Sequence, residues 1–491
     1  MSNKLKMRIL SVLSIILLCI GVTSKEFQND TFYIIKLGSD TFKHGLNLID
    51  YHCWVTDLQY TYPHFLYDIF LYLVYNNFGY LGVYVFIILC FILLGLCIYF
   101  INLKINKNEF MAFFVSFISI IFLVVFATAR SQLLSYIILI LEVYFIENLI
   151  RNSKKRYVFY LAVLSLLLAN IHATIWLFYF VLFFPFIVEH FIALIVSKFN
   201  LKVNKKLVIN KISNFKMLMF SFGISFVMGI FSLSRICYTY VIRIMLGNSQ
   251  SLIEEHLPLV VIRHPLFIGL VSLLVLILIF TNVKIKIKEL FMIGGLILMS
   301  LISGRHVALF YLIGTLYISI ICIRYLDLKK DKTLDTLFNI IVNSKIVYIA
   351  IILIVCAISF INFSNNFKDN YINPKYYPVS AVKYIKKNID LDDFRVYNGY
   401  NYGSYMLFND IPVFIDSRCD LYLNEFNNVN IFNDTVDIFN NYNEVFDKYK
   451  VNYVLINNDS ILYKLLNLDD NYIEEYSDKY FTLFKLNNSS M

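Results

Sequence analysis

The stretch YLGVYVFIILCFILLGLCIYFINLKINK, residues 80–107, carries no charge until it reaches Lys104 and Lys107. About 20 consecutive apolar residues let an α-helix cross the roughly 30 Å hydrocarbon core of a bilayer. Lysines gathered at one end of such a span mark its cytoplasmic side. Both signals repeat along the chain. Apolar runs recur at about 7–24, 110–128, 131–150, 157–171, 174–196, 216–235, 265–282, 290–304, 307–325 and 345–363, which makes eleven predicted spans. Basic clusters fall in alternate connections: Arg151 to Arg156, Lys198 to Lys216, Lys284 to Lys288 and Lys329 to Lys345. Lys4, Lys6 and Arg8 precede the first run. The pattern predicts an N-terminus inside and a C-terminus outside. A charged start and a short apolar core also fit a signal peptide. Retention of the first run as a helix is the expectation, and either outcome puts residues 25–79 outside the cytoplasm.

With 59% hydrophobic residues and a mean hydropathy of +0.66, the chain is too apolar for a soluble globule. The net charge of +9 does not indicate nucleic acid. From Phe363 onward, 12 Lys+Arg stand against 18 Asp+Glu, a balance of −6, while the preceding residues carry +15. Most of that excess sits in the short loops described above. Of eight cysteines, Cys53, Cys237 and Cys419 lie outside the apolar runs, an odd number without metal-like spacing. Buried, inert thiols are expected. The predicted fold class is an α-helical polytopic membrane protein, residues 1–363 with a long first external loop, joined to a small extracytoplasmic α/β domain, residues 364–491.

Two external segments exceed what a connection requires, residues 25–79 and 235–264, and long loops in compact domains are usually functional or disordered. The first has helical periodicity at 30–43 and 64–75, as expected of ordered helices lying at a surface. In the tail the pattern predicts helices at 381–387, 404–408, 436–449 and 461–466. Strands are expected at 394–397, 412–415 and 451–456, with a final hairpin near 472–486. Strands alternating with helices read as an α/β domain.

The topology gathers Asp30, Asp50, His64, Asp68, Arg130, His172, Glu255 and Arg305 onto one side. External carboxylates can act as general bases or hold a divalent cation through hard oxygen ligands. For any one of them, simple solvation of a polar loop is the competing reading. Asp30 follows the first span closely, where chemistry on a membrane-embedded lipid phosphate would need a carboxylate. Arg130 sits in a tight external turn, against the usual charge rule. It is read either as a snorkelling interfacial cation or as a bidentate phosphate clamp. Arg305 and His306 occupy the turn after the ninth span, and His172 ends the fifth. Glu142 falls within a span and is read as a structural group facing the bundle interior. In the tail, Asp416, Arg418 and Asp420 leave a strand end together, where open α/β sheets place ligand crevices. A self-satisfied ion-pair cluster is the equal alternative.

In this order the motifs resemble the C-type glycosyltransferase superfamily (GT-C), polytopic enzymes that take a sugar from a polyprenyl-phosphate donor. The likeness is nearest to bacterial members with an extracytoplasmic α/β tail, and it spans the whole chain. Asp30-Thr31-Phe32-Tyr33-Ile34-Ile35-Lys36-Leu37-Gly38 stands for D-x-W-W-H-x-x-x-G, followed by Asp50 and by His64-Phe65-Leu66-Tyr67-Asp68. Arg130-Ser131-Gln132-Leu133, Asn170-Ile171-His172, Glu255-His256-Leu257-Pro258 and Gly304-Arg305-His306 follow, then Gly403 and Ile415-Asp416-Ser417-Arg418. Ile34 replaces an expected histidine and His256 an expected tryptophan. The resemblance implies Asp30, and with it Asp50, as catalytic carboxylates, Asp30 deprotonating the acceptor hydroxyl. It implies that Arg130 and Arg305 steady the departing phosphate, among substrate-binding residues that include His64, Asp68, His172, Glu255 and His306.

The expected activity is therefore transfer of a sugar from a polyprenyl-phosphate-linked donor to a glycan, lipid or protein acceptor outside the cytoplasmic membrane. No cofactor is required by the sequence, and a divalent cation, Mg or Mn, is left open. A transporter or flippase for a lipid-linked solute is the first alternative. It is disfavoured because there is no internal repeat and the polar residues gather at one surface rather than the midplane. A non-catalytic envelope assembly protein is the second.

Overall fold

The computed structural model describes residues 2–55, 57–247, 254–368, 370–436 and 438–487. The chain divides into two compact units. Unit 1 is helical and holds the predicted spans. Among the described residues, seven helices are long and apolar enough to cross a membrane: Asn3–Val22, Phe65–Asn106, Glu109–Phe126, Gln132–Asn152, Ala173–Phe199, Gly304–Lys329 and Lys345–Lys368. Arg156–Ile171, Phe215–Phe231 and Pro265–Phe280 are shorter apolar helices, and Ile287–Ile302 occupies the remaining predicted run. Each of the eleven runs is thus a helix in a multi-pass membrane protein.

Their ends follow local chemistry. Lys104, Arg151, Lys198 and Lys329 lie in last turns, where a cation complements the helix dipole. Asn108 caps the helix that starts at Glu109 by accepting from the Met111 N–H at 2.9 Å. Three ion pairs staple neighbouring helices at these lysine-bearing ends. Arg8 donates to Glu109 at 2.7 Å, Lys288 to Glu147 at 2.7 Å, and Arg324 grips Glu289 at 2.5 and 2.7 Å.

Helix Asn3–Val22 is a full member of unit 1, with Met7, Leu10, Ile15 and Cys19 all wholly buried. A Cβ on Gly21 would come within 2.7 Å of the Ser359 backbone, and Asn366 donates to the Gly21 carbonyl at 3.0 Å.

Unit 2 joins the first long loop, Ser24–Val85, to the chain from Phe367 onward. The expected boundary at 363/364 falls inside helix Lys345–Lys368, the break between units comes after Asn366, and the first loop folds with the tail. The tail sheet has strands β1 (Val396–Asn398), β2 (Tyr453–Asn457), β3 (Tyr472–Ser477) and β4 (Phe481–Leu486). Its order is β1-β2-β4-β3, parallel between β1 and β2 and antiparallel elsewhere. Leu455 faces Leu483 across β2 and β4, and both are wholly buried. Helices Val379–Asn388, Tyr400–Phe408, Ile438–Tyr449 and Ile461–Leu466 fill the predicted helical positions.

Two expectations change. Residues 412–415 are not a sheet strand. Pro412 has no N–H to give a ladder, and the backbone here pairs with the first loop and with β1. Val413 donates to the His52 carbonyl at 3.0 Å and accepts from Trp54 at 3.1 Å. The Asn398 side chain takes the Phe414 N–H at 2.8 Å and donates to the Ile415 carbonyl at 2.7 Å. Secondly, helix Asn29–His44 is not surface-lying: Thr31 to Ile35, Leu37, Gly38 and Asp40 are buried. Gly38 permits this, since a Cβ there would fall 2.0 Å from the Asp68 carbonyl oxygen. The second predicted loop helix runs on into the next span as Phe65–Asn106, broken at Gly79, whose φ of 61° suits glycine.

Candidate functional site

In unit 2, Asp30 stands in the first turn of helix Asn29–His44, half-buried. The neighbouring Asn29 side chain donates to the Tyr400 carbonyl at 2.8 Å, and the Tyr400 hydroxyl donates to the Ser417 carbonyl at 3.2 Å. Burial holds the Tyr400 phenol far above its usual range, reinforced by Cys419 and then Asp30. Asp30 is thus an acidic group in electrostatic reach of a buried phenol and the start of the Cys419–Tyr422 turn.

That turn follows an arginine with no solvent exposure of its side chain. Arg418 donates through Nε to Asp416 Oδ1 at 2.9 Å and through Nη2 to Oδ2 at 2.7 Å. Its Nη1 reaches Asp50, whose other oxygen accepts the Cys53 N–H at 2.8 Å. Tyr422 donates to Asp416 at 2.6 Å, and the guanidinium lies 5.4 Å from the Tyr60 ring centroid. Burial alone would raise the Asp416 carboxyl, but Arg418 and the Tyr422 hydroxyl outweigh it and hold it below the usual range. Both oxygens of Asp50 are engaged, so its place is that of a counter-ion anchoring the first loop. Asp416 and Arg418 form the self-satisfied cluster rather than an open crevice.

Asp420 differs. Burial pushes its carboxyl up to about 6, although Thr61 donates to it at 2.6 Å. The folded protein therefore keeps this proton where the unfolded chain has released it. Stability drawn from Asp420 is complete below the ordinary value of 3.8 and is lost as pH rises through about 6. Asp416 works in the opposite sense, losing its contribution as pH falls below the ordinary carboxylate value. Relative to Asp420→Asn, the native protein is expected to lose thermal stability between pH 4 and pH 7, read as diverging melting midpoints. Parallel midpoint curves for the two proteins would count against it.

His64 precedes helix Phe65–Asn106 and accepts the Asp68 N–H through its carbonyl at 2.9 Å. The Asp68 side chain is 1% exposed, and neither carboxyl oxygen finds a hydrogen-bond partner among the described residues. It packs where Gly38 crosses its helix.

In unit 1, the turn before helix Gln132–Asn152 and the turn before helix Val307–Leu309 bring two arginines to one carboxylate. Arg130 Nη1 lies 3.4 Å from Glu255 Oε1, and Arg305 Nε lies 4.0 Å from Oε2. Glu255 is held in place by its own backbone, which accepts from Ser303 at 3.2 Å, and by Gly304 donating to Leu257 at 2.9 Å. Burial raises the Glu255 carboxyl, but Arg305 and then Arg130 lower it below its usual value overall. Arg305 also approaches His256 Nε2 at 3.3 Å. Burial, then Arg305, pushes His256 down to about 4, so its ring is neutral at neutral pH. The structure thus unites Arg130, Glu255 and Arg305 and adds His256, which sequence reasoning noted only as a departure from a tryptophan. The His306 ring lies tilted against Phe178 with centroids 4.7 Å apart, and His172 is buried against Ser135 at 2.7 Å. Thr61, Tyr400 and Tyr422 had no sequence signal of their own.

Among the described residues, no group of three His, Cys, Asp or Glu side chains converges as a metal-ligand set. The divalent cation left open by the sequence has no ready-made donor set among those residues.

No protein-family model matches the chain, and no curated protein matches its sequence. Solved structures do. The Archaeoglobus fulgidus oligosaccharyltransferase tethered to an acceptor peptide containing the NVT sequon aligns with a TM-score of 0.60 at 11% identity, covering 100% of this chain and 74% of that one. The fold is similar to that of an archaeal oligosaccharyltransferase. The same enzyme, AglB, in complex with an inhibitory peptide and a dolichol-phosphate gives 0.59 at 12% identity, over 93% of this chain and 69% of that one. Its apo form gives 0.58 at 12% identity, over 92% and 69%. At this identity what is shared is the fold.

Proposed function

We propose that this chain is a membrane glycosyltransferase that moves a sugar from a polyprenyl-phosphate-linked donor to an acceptor outside the cytoplasmic membrane. The observation that carries the reading is the Arg130–Glu255–Arg305 cluster, set in a fold like that of an enzyme solved with dolichol-phosphate. Two guanidinium groups at helix ends that lack lysines are suited to a phosphate. The lysine-bearing ends support an orientation with unit 2 and these arginines outside the cytoplasm.

In the reaction, the bond between the anomeric carbon and the phosphate oxygen breaks and a bond to the acceptor oxygen forms. The leaving lipid phosphate gains negative charge, which Arg130 and Arg305 stabilise. Glu255 holds both guanidiniums in place until the phosphate competes for them. His256, neutral beside Arg305, adds no charge that would repel the arginine. Asp30 takes the acceptor proton as general base. Asp50, Asp416 and Arg418 support the loop that carries Asp30, with Asp420, His64 and Asp68 in the same unit, while His172 and His306 belong to unit 1 with the two arginines.

The test is release of polyprenyl phosphate by purified protein given a panel of polyprenyl-phosphate-linked sugars, a readout independent of the acceptor's identity. An Arg130→Ala, Arg305→Ala protein is expected to lose about 10²-fold or more in kcat/KM, with lysine at both positions restoring part of it. Proteoliposomes that move lipid-linked sugar across the bilayer without releasing polyprenyl phosphate would replace this reading with transport.

A further inference from the structure

The span that carries Arg305 is not one regular helix. After the turn Gly304–His306 come a short α-helical stretch, Val307–Leu309, a π-helical turn, Phe310–Gly314, and the α-helix Thr315–Lys329. In the π-turn the Thr315 N–H donates to the Phe310 carbonyl, five residues back, where an α-helix would give it to Tyr311. Two hydroxyls answer the Tyr311 carbonyl instead. Thr315 donates to it at 2.7 Å, and Ser119, on helix Glu109–Leu123, donates to it at 3.0 Å. The two hydroxyl oxygens lie 3.1 Å apart, and both side chains are buried. Rings from two neighbouring helices clamp the turn. Phe122, on the same helix as Ser119, stacks on Tyr311 with centroids 4.9 Å apart. Phe267, on helix Pro265–Phe280, makes a T-shaped contact with Phe310 at 4.8 Å.

A bond that reaches five residues back encloses one more residue than an α-helical bond, so this turn is an α-helix with one residue inserted. Each residue advances an α-helix by about 100° and about 1.5 Å. Everything before the insertion is therefore turned by about 100° relative to an unbroken helix running back from Thr315. Arg305 is on that side. As placed, its Nε lies 4.0 Å from Glu255 Oε2 and its Nη1 lies 3.3 Å from His256 Nε2. A rotation of that size would carry the guanidinium off both. Turns of this kind are rare and recur at functional sites. We propose that the π-turn Phe310–Gly314, fixed by Ser119 and Thr315, sets the rotation at which Arg305 meets Glu255. Ser119 and Thr315 are then positioning residues for the phosphate-binding arginine. The catalytic consequence rests on the glycosyl-transfer reading; the geometric one does not.

The test removes the inserted residue. Deleting Ile313 from the full chain should convert the π-turn to α-helix in a protein that still unfolds cooperatively. Thiols introduced by Glu255→Cys and Arg305→Cys are joined with a short bismaleimide. The joined peptides are quantified by mass spectrometry, which separates them from products of the native cysteines. The deletion is expected to cut that cross-link by about fivefold or more, since the yield follows the proximity of the two positions. It is also expected to lower kcat/KM for release of polyprenyl phosphate by about 10²-fold, with no further loss when Arg305→Ala is added. Should the deletion not fold, the Ser119→Ala, Thr315→Val protein carries the comparison, with a cross-link loss of about twofold or more. A native cross-link yield in a folded variant would overturn the inference, and so would losses that multiply with Arg305→Ala. If the cross-link falls while the native protein itself releases no polyprenyl phosphate, the positioning stands and the glycosyl-transfer reading fails.

Discussion

Replacing Arg418 with leucine is expected to destabilise unit 2 by about 3–5 kcal/mol, the usual cost of removing one partner from a buried ion pair. The guanidinium is wholly buried and answers two carboxylates, Asp416 and Asp50, that are themselves buried. Deleting it strands both and removes a cation from the face of Tyr60. Because Asp50 belongs to the first loop and Asp416 to the tail, both segments are expected to loosen together. Limited proteolysis should then cut within residues 24–85 and within the tail at matching rates, well before unit 1 is attacked. Neutralising the stranded partners, with Asp50→Asn and Asp416→Asn in the Arg418→Leu background, should return part of the lost stability. An Arg418→Leu protein as protease-resistant as the native one would show that the network contributes little.

The second large effect concerns rate rather than stability. Asp30→Asn is expected to slow release of polyprenyl phosphate by about 10²–10⁴-fold, the range for loss of a general base. The substitution preserves shape at a half-buried helix start, so the melting midpoint should stay within about 1 °C of the native value, as for surface changes generally. This contrast separates the two predictions: Arg418 fails through folding, Asp30 through chemistry. A folded Asp30→Asn protein that transfers at the native rate would take Asp30 out of the mechanism.

What could be read from the chain follows from how local each signal is. The spans were legible because each apolar run is its own evidence, and every one of the eleven corresponds to a helix. The tail helices and hairpin were legible for the same reason: turn residues and periodicity sit next to each other in sequence. Residues 412–415 misled because a short apolar run looks like a strand whatever its partner is. Its actual partners, His52 and Trp54, lie in the first loop, and nothing local announces a pairing across more than three hundred residues. The same distance hid the role of Asp50, which looks like a surface carboxylate until Arg418 is placed on it. Arg130 and Arg305 were legible as exceptions to the charge rule, but their common carboxylate, Glu255, was apparent only as a separate motif. Glu142 reads as a structural group facing the bundle interior; it is wholly buried, and neither carboxyl oxygen has a hydrogen-bond partner among the described residues.

The union of the first loop with the tail also sets a timetable. Asp50 and Arg418 are 368 residues apart, and at ribosomal rates of about 5–20 residues per second that gap takes roughly 20–70 s to synthesise. Throughout this interval helix Asn29–His44 exists without the tail that will cover it, and its apolar face, Phe32 and Ile35 included, has no final resting place. Residues made long after the first loop are therefore what complete it, so a ribosome that stalls just past helix Lys345–Lys368 leaves unit 2 unfinished.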